Sequence, residues 1–137
     1  MRILAIDHGT KRMGIAISDD MGMMAHPLEY IPAEPFLEFL ARLKEIIKQR
    51  QIEMLLVGMP RNMDGSYGPA ALKVQEFVAV LNETLVMPIK VWDERLTSVQ
   101  ANRFLIQAEV RRDKRKGKVD KAAAALLLQS YLDSLGG

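Results

Sequence analysis

The sequence predicts an α/β protein built on a mixed five-stranded sheet, three antiparallel strands and then two parallel ones, flanked by helices. Three observations support this prediction. Two short apolar runs at the start of the chain are separated by only five residues, as in a hairpin. A third short run follows them closely. The later apolar runs are separated by segments with helical periodicity, and strands joined through helices are normally parallel.

The first three strands are predicted at 2–7, 13–19 and 27–31. The first two runs are rich in Ile and Ala, and the segment between them, His8-Gly9-Thr10-Lys11-Arg12, places Gly9 near the turn of a hairpin. With the third strand they form an antiparallel meander. The first strand ends in Asp7, a residue that is costly to bury unless its charge is compensated.

The middle of the chain alternates helix and strand. Behind Pro35, a helix is predicted from apolar residues at helical spacing, namely Phe36, Leu40, Leu43 and Ile47. A buried strand at 54–60 and a turn-rich segment follow. Pro69 then opens a second helix with a predicted inner face of Val74, Phe77, Val78 and Leu81.

The last third begins with a strand at 88–94 that ends in Asp93 and Glu94. Thr97 to Gln100 has the form of a capping box, which predicts a helix at 98–108. The final helix, at 119–133, is apolar on most sides and is therefore expected to be largely buried.

The composition of the 137 residues, 49% hydrophobic and 26% charged, is that of a globular protein, and its size predicts one domain spanning 1–137. The absence of cysteine excludes disulfides and thiolate metal sites, so oxygen atoms would have to hold any metal. The sequence has neither a signal-peptide pattern nor an apolar run of membrane-spanning length, so we expect a cytoplasmic protein without membrane contact.

A basic segment stands out from the nearly balanced total charge of +2. Residues 111–118, RRDKRKGK, carry six basic residues against one aspartate, a local charge of +5 that leaves −3 on the rest of the chain. A basic segment on a mildly acidic body suggests contact with an anion such as a phosphate backbone. The alternative is a solvated, flexible loop.

Acidic residues lie at the ends of predicted elements. Asp7 ends the first strand, Asp93 and Glu94 end the last one, and Asp120 begins the final helix. Three carboxylates in one crevice repel one another unless a divalent cation neutralises them or one is protonated. Mg²⁺ and Mn²⁺ prefer oxygen ligands, and two such ions can hold the attacking water and the leaving oxygen of a phosphodiester.

Each acid also has a simpler interpretation. Asp7 is able to cap a turn onto amides near Gly9, and Asp120 is able to act as an ordinary helix N-cap. Glu94 is able to pair with Arg95 or Arg12 on the surface.

Four blocks, IDHGTKRMGIAISD, VGMPRNMDGSYG, DERLTS and VDKAAAALLLQSYLD, occur in this order across residues 2–133 and resemble the signature blocks of the RuvX/YqgF family. That family is similar to the junction resolvase RuvC and has the ribonuclease H-like fold. It is described both as a Holliday junction resolvase and as a nuclease that matures the 5′ end of 16S ribosomal RNA.

The resemblance implies metal ligation and catalysis by Asp7, Glu94 and Asp120. Asp93 stays open as the alternative to Glu94, since strand alternation sends the two to opposite faces. In related resolvases the middle acid sits on the fourth strand, whereas here that strand ends VGMP without one.

Candidate nucleic-acid contacts lie in three places. Lys11 and Arg12 in the hairpin are candidates to lie over a scissile phosphate; the alternative is a solvated turn. Asn62 and Ser66 are candidates to contact sugar or phosphate; the alternative is a purely structural turn. Thr97 is read as a helix cap. His8 and His26 are not expected to act as catalytic bases. The basic segment supplies Arg111, Arg112, Arg115, Lys116 and Lys118.

The sequence therefore predicts a Mg²⁺- or Mn²⁺-dependent endonuclease acting on precursor rRNA or branched DNA as a monomer or weak homodimer. A non-catalytic RNA-binding assembly factor is one alternative. A phosphotransferase is another, because Asp-x-Gly-Thr also resembles the first phosphate loop of the actin and sugar-kinase superfamily. Those enzymes need a second lobe, for which 137 residues leave no length.

Overall fold

The computed structural model of the protein describes residues 1–96 and 116–136, with side chains for 1–96 and 123–136. The strands in these residues are β1 (Ile3–Asp7), β2 (Arg12–Ser18), β3 (Ala25–Pro32), β4 (Met54–Met59) and β5 (Ile89–Asp93). The helices are α1 (Phe36–Arg50), α2 (Pro69–Thr84) and α3 (Lys116–Gly136), and a short 3₁₀ turn covers Glu94–Leu96.

The strands form one sheet in the order β3-β2-β1-β4-β5. β2 is antiparallel to both β1 and β3, whereas β4 is parallel to β1 and β5 is parallel to β4. The predicted mixed sheet of three antiparallel and two parallel strands is confirmed. Because β1 lies at its centre, all five residues of that strand are buried.

The two faces of the sheet carry separate cores, since alternate side chains of a strand point in opposite directions. On one face, α1 and α2 cover Leu4, Ile6, Leu55 and Val57. On the other face, α3 covers Ile3, Ala5, Ala16, Met54 and Leu56. Successive residues of β1 and of β4 therefore alternate between the core under α1 and α2 and the core under α3.

The helices present nearly the faces predicted for them. In α1 the buried residues are Phe39, Leu40, Leu43 and Ile46, while the predicted Phe36 and Ile47 lie partly buried at the edge of the same core. In α2 they are Ala71, Val74, Phe77 and Leu81, with Val78 partly buried. Pro69 occupies the start of α2 as predicted.

Both predicted bounds of the final helix are wrong by three residues, since it ends at Gly136 and not at 133. The final helix is predicted to begin at 119, but α3 begins at Lys116, so the last three residues of the basic segment 111–118 are helical. Lysine is a good helix former, and the apolar run behind it supports one more turn. The predicted helix at 98–108 and the Thr97 cap lie outside the described residues. None of the described helices combines the length and apolar character needed to cross a lipid bilayer.

Candidate active site

The carboxyl ends of three parallel strands lie side by side at one edge of the sheet. β1 ends there at Asp7 and β5 at Asp93, with β4 between them. Asp7 is only 5% exposed. Ligands of α/β proteins bind preferentially at such an edge, because side chains and loops from several strands converge on it.

Glycines flank Asp7 on both neighbouring strands. Asp7 pairs with Gly14 of β2, and the register that matches Ile6 to Val57 continues one residue further to bring Gly58 of β4 alongside it. Residues in register share a face of the sheet. Asp7 lies on the α3 face, as Ile3 and Ala5 do. The residues paired with it on β2 and β4 are both glycines and carry no side chain.

Glu94 fills the space above Gly58. A Cβ atom added to Gly58 would lie 3.2 Å from Glu94 Oε2 and 3.3 Å from Glu94 Cγ. Glu94 is 3% exposed, so the interpretation of this residue as part of a surface ion pair does not describe its environment. A carboxylate thus lies over β4, next to Asp7, although β4 contributes none and Glu94 belongs to the turn after β5.

Asp93 belongs to the other face. It pairs with Met59, a residue of the core beneath α1 and α2. Its carboxylate accepts hydrogen bonds from the Arg95 backbone N–H at 2.9 Å and from Arg95 Nη2 at 2.9 Å, and a further one from Arg61 Nη1 at 3.3 Å. Arg95 chiefly, with help from Arg61, holds the pKa of Asp93 below its usual value. The structure brings Glu94, and not Asp93, to the face of Asp7.

Arg61 is a site residue that the sequence prediction missed. It bonds Asp93 and donates from Nε to the Gly65 carbonyl oxygen at 3.0 Å, and its guanidinium stacks over the Tyr67 ring at 4.5 Å. The side chain is 26% exposed. Its position directly behind the end of β4, opposite an Asp-Glu pair that ends the next strand, is the signal that would have found it.

The loop after β4 is a bonded turn. Asp64 Oδ1 accepts from the Ser66 backbone N–H at 2.9 Å, and Asn62 Nδ2 donates to Ser66 Oγ at 2.9 Å. Bonds to Asp64, that from the Ser66 hydroxyl first, lower the pKa of its carboxyl group. Gly65 has φ +90°, a conformation that favours glycine. Asn62 thus makes contacts within the turn, and its predicted contact with nucleic acid stays a prediction.

The hairpin holds the two predicted basic contacts at the same edge. Lys11 is exposed, and Arg12 is half-buried with its guanidinium 5.7 Å from the centre of the Tyr30 ring. A Cβ on Gly9 would lie 2.2 Å from the Arg12 carbonyl oxygen, so no other residue fits this tight connection. His8 packs against Phe77 at 5.0 Å, and burial, with a smaller effect of Lys73, lowers its pKa.

The direction of α3 points its amino end toward this edge. Leu127 Cδ2 lies 3.0 Å from the position of a Gly58 Cβ. Two residues further along, Gln129 accepts from the Ala25 backbone N–H, and Ala25 pairs with Ser18 at the opposite end of the sheet. The helix therefore runs away from Asp7 and Glu94 as the chain proceeds.

The remaining predicted residues are only partly described. Asp120 stands in α3 seven residues, about two turns, before Leu127. The side chains of Asp120, Lys116 and Lys118, and all of Arg111, Arg112 and Arg115, lie outside the described residues. Among the residues whose side chains are described, no group of three His, Cys, Asp or Glu is arranged to hold a metal ion.

Comparison with known proteins shows which family this chain resembles. A family model described as "RuvX: Holliday junction resolvase" matches residues 1–134. A protein of Halothermothrix orenii named "Putative pre-16S rRNA nuclease" is 49% identical over 97% of this chain and 95% of its own length. A Bacillus subtilis protein of the same name is 47% identical over 98% of this chain and 99% of its own.

Solved structures with a similar fold are distant in sequence. Thermus thermophilus RuvC in complex with a Holliday junction substrate has a TM-score of 0.54 and 17% identity, covering 100% of this chain and 96% of its own. The Fowlpox virus resolvase in complex with Holliday junction DNA has a TM-score of 0.57 and 15% identity, covering 98% and 99%. At these identities the likeness establishes the ribonuclease H-like fold that the sequence blocks implied.

Proposed function

This chain belongs to the RuvX family, and from that premise we propose that it is a divalent-metal-dependent endonuclease whose substrate is the 5′ end of precursor 16S rRNA. The observation that carries the proposal is the pair of buried carboxylates, Asp7 and Glu94, on one face of the sheet edge. The names of relatives nearly half identical over almost the whole chain support a nuclease and favour the rRNA substrate.

The environment of these two acids suits a metal ion. Burying carboxylates is costly unless cations or hydrogen-bond donors compensate them, and two close carboxylates also repel each other. Their oxygen atoms are hard ligands of the kind preferred by Mg²⁺ and Mn²⁺, the ions we propose. Both residues that flank Asp7 on the neighbouring strands are glycines, so the Glu94 carboxylate lies over Gly58 on the same face.

We assign the catalytic roles as follows. Asp7 and Glu94 would hold the metal, and Asp120 would complete the ligand set. Divalent ions bound there supply Lewis-acid stabilisation of the charge that develops on the phosphate oxygens. Lys11 and Arg12 orient the phosphate from the hairpin, at the same edge of the sheet.

A branched DNA junction is the second candidate substrate, because the family description names a Holliday junction resolvase. Resolving a four-way junction symmetrically requires two active sites, so that role predicts a dimer in solution. Processing rRNA requires one site, and we propose a monomer or weak homodimer, a single nuclease domain over 1–137, in the cytoplasm where such precursors occur.

The test is a side-by-side cleavage assay on a 16S precursor fragment and a four-way DNA junction, with Mg²⁺, Mn²⁺ or EDTA. We expect metal-dependent cutting of the precursor, abolished in Asp7→Asn with binding retained. Glu83→Gln, at an exposed acid near the end of α2, is the matched control and keeps full activity. Cleavage by Asp7→Asn or in EDTA would overturn the mechanism, and preferred cutting of the junction would overturn the substrate.

We also propose that the basic segment anchors the phosphate backbone through Arg111, Arg112, Arg115, Lys116 and Lys118. In a plot of log affinity against log salt, the slope becomes shallower by roughly 0.7 to 0.9 for each phosphate that is no longer neutralised. Replacing Arg111, Arg112, Arg115 and Lys116 with alanine is thus expected to reduce that slope by about 3. An unchanged slope would remove the segment from the binding surface.

A further inference from the structure

A cleft of about 530 Å³ opens on the face of the sheet opposite Asp7 and Glu94. The turn after β1 forms one wall, the start of α1 forms the floor, and one side of α2 forms the other wall. Residues of these three parts used below are His8, Thr10, Phe36, Lys73, Glu76 and Phe77. A volume of this size is typical of sites that enclose a small planar molecule.

Aromatic rings form the inside of the cleft. Phe77, only 6% exposed, packs beneath the cleft, 5.0 Å from the His8 ring and tilted from it by 56°. Phe36 meets Phe77 edge to face, with ring centres 6.5 Å apart. Phe36 is half-buried. His8 is half-buried too, and these two rings offer faces on which a flat aromatic molecule can stack.

Polar groups line the rim of the same cleft. Lys73 and Glu76 are exposed and precede Phe77 on one side of α2, and Thr10 stands across from them. With Glu34 also at the rim, acidic side chains outnumber Lys73. The cleft is therefore unsuited to a phosphate, but it suits a ring that carries hydrogen-bond donors and acceptors on its edge.

The cleft and the two acids lie on opposite faces of the sheet at the carboxyl end of β1. His8 lines the cleft and follows Asp7 directly, with Cα atoms about 3.8 Å apart. The side chains of consecutive residues leave the edge on opposite faces. A strand whose phosphate reached Asp7 would thus have the base of an adjacent nucleotide within reach of the cleft.

We propose that this aromatic cleft binds one unpaired nucleobase of the strand being cut, beside the scissile phosphate. The inference rests on the proposed nuclease function and deepens it, because it names the substrate class as nucleic acid with an unpaired base at the cut. Lys73, Glu76 and Thr10 contact the edge of the base, while the half-buried rings of Phe36 and His8 contact its face. A fully paired duplex cannot deliver such a base without unstacking it.

The test is equilibrium binding in EDTA, where no metal-dependent cutting occurs, of a short single-stranded RNA that carries fluorescent 2-aminopurine. The same oligonucleotide with an abasic residue at that position is the reference. We expect Phe36→Ala to weaken binding of the base-containing RNA by about 5- to 150-fold, the range of stacking losses on alanine substitution, and to leave the abasic RNA unchanged. Leu72→Ala, at an exposed apolar residue of α2 that does not line the cleft, should change neither.

A second variant guards against a folding defect, since Phe36 contacts the core. Lys73→Ala with Glu76→Ala alters only exposed side chains of α2 and should again weaken only the base-containing RNA. Equal affinity of the wild-type protein for the two RNAs, or equal losses for both in each variant, would overturn the proposal. Because binding is read without metal, this result is independent of the cleavage assay: cleavage without base-dependent binding rejects only the cleft, and base-dependent binding without cleavage rejects only the nuclease.

Discussion

The two faces of the sheet differ most where they meet at the carboxyl edge. On the α3 face lie two buried acids, with glycine beside Asp7 on both neighbouring strands and Leu127 of the helix next to Gly58. On the other face, large aromatic residues line a cleft, and Asp93 is bonded by two arginines. The same strand ends thus place buried acids on one face and neutralised or apolar groups on the other.

Neighbouring acids at the end of β5 make the contrast sharpest. Asp93 and Glu94 are adjacent in sequence, yet one faces guanidinium groups and the other faces Asp7 across Gly58. The Asp93 carboxylate also accepts from the Arg95 N–H, two residues on, which fixes the turn that carries Glu94. We therefore interpret Asp93 as a positioning residue for Glu94.

The largest expected effect separates these two acids in catalysis. Glu94→Gln should lower kcat/KM by about 10³-fold or more, since it removes the proposed metal ligand, whose contribution would be several kcal/mol. Asp93→Asn should lower it by about 10- to 100-fold, as expected for an outer residue that orients a ligand. Mn²⁺ affinity measured by calorimetry should follow the same order. The reverse order would make Asp93 the ligand.

The second prediction concerns the space between the two acids. Gly58→Val would place side-chain atoms against Leu127 and the Glu94 carboxylate, so we expect a loss of about 1–3 kcal/mol in the free energy of unfolding. Urea denaturation measures it. Gly136→Ala is the matched control, because a Cβ there meets nothing within 4 Å. Equal midpoints for both variants would contradict the close packing of Glu94 over β4.

A smaller effect is expected on the Asp93 side. Arg61→Met removes the bonds to Asp93 and Gly65 from a partly exposed site, so we expect a stability loss of about 1–2 kcal/mol. Lys44→Met, an exposed cation of α1, is the control and should leave the urea midpoint unchanged. If Arg61→Met were as active as wild type, the guanidinium would have no part in positioning Glu94.

The smallest effect is a pH dependence confined to the turn after β4. Since the folded pKa of Asp64 is lowered, its bonds to Ser66 are complete above the unfolded value of about 3.9 and are lost as pH falls through the lower, folded pKa. The amide shift of Ser66 in an NMR titration should therefore move with a midpoint below about 3.9. Asp64→Asn should abolish that titration; a midpoint above the unfolded value would contradict the bonded turn.

The sequence alone determined where the helices and strands lie and which acids stand at their ends. Apolar periodicity located every strand and helix of residues 1–96 to within about two residues at most ends, because period 2 and period 3.6 are local signals. It also placed Asp7 and Asp93-Glu94 at strand ends. The start of α3 lies three residues before its predicted position, since a run of charges does not distinguish a loop from an exposed helical turn.

Only the tertiary structure showed which faces Asp93 and Glu94 lie on and revealed the contacts of Arg61 and the aromatic cleft. Each of these depends on contacts between residues far apart in sequence: Gly58 with Glu94 and Leu127, Arg61 with Asp93, and His8 with Phe77. Such contacts are fixed by strand register and helix packing, and neither is encoded in any short stretch of residues. A one-residue change of register would exchange the faces of Asp93 and Glu94.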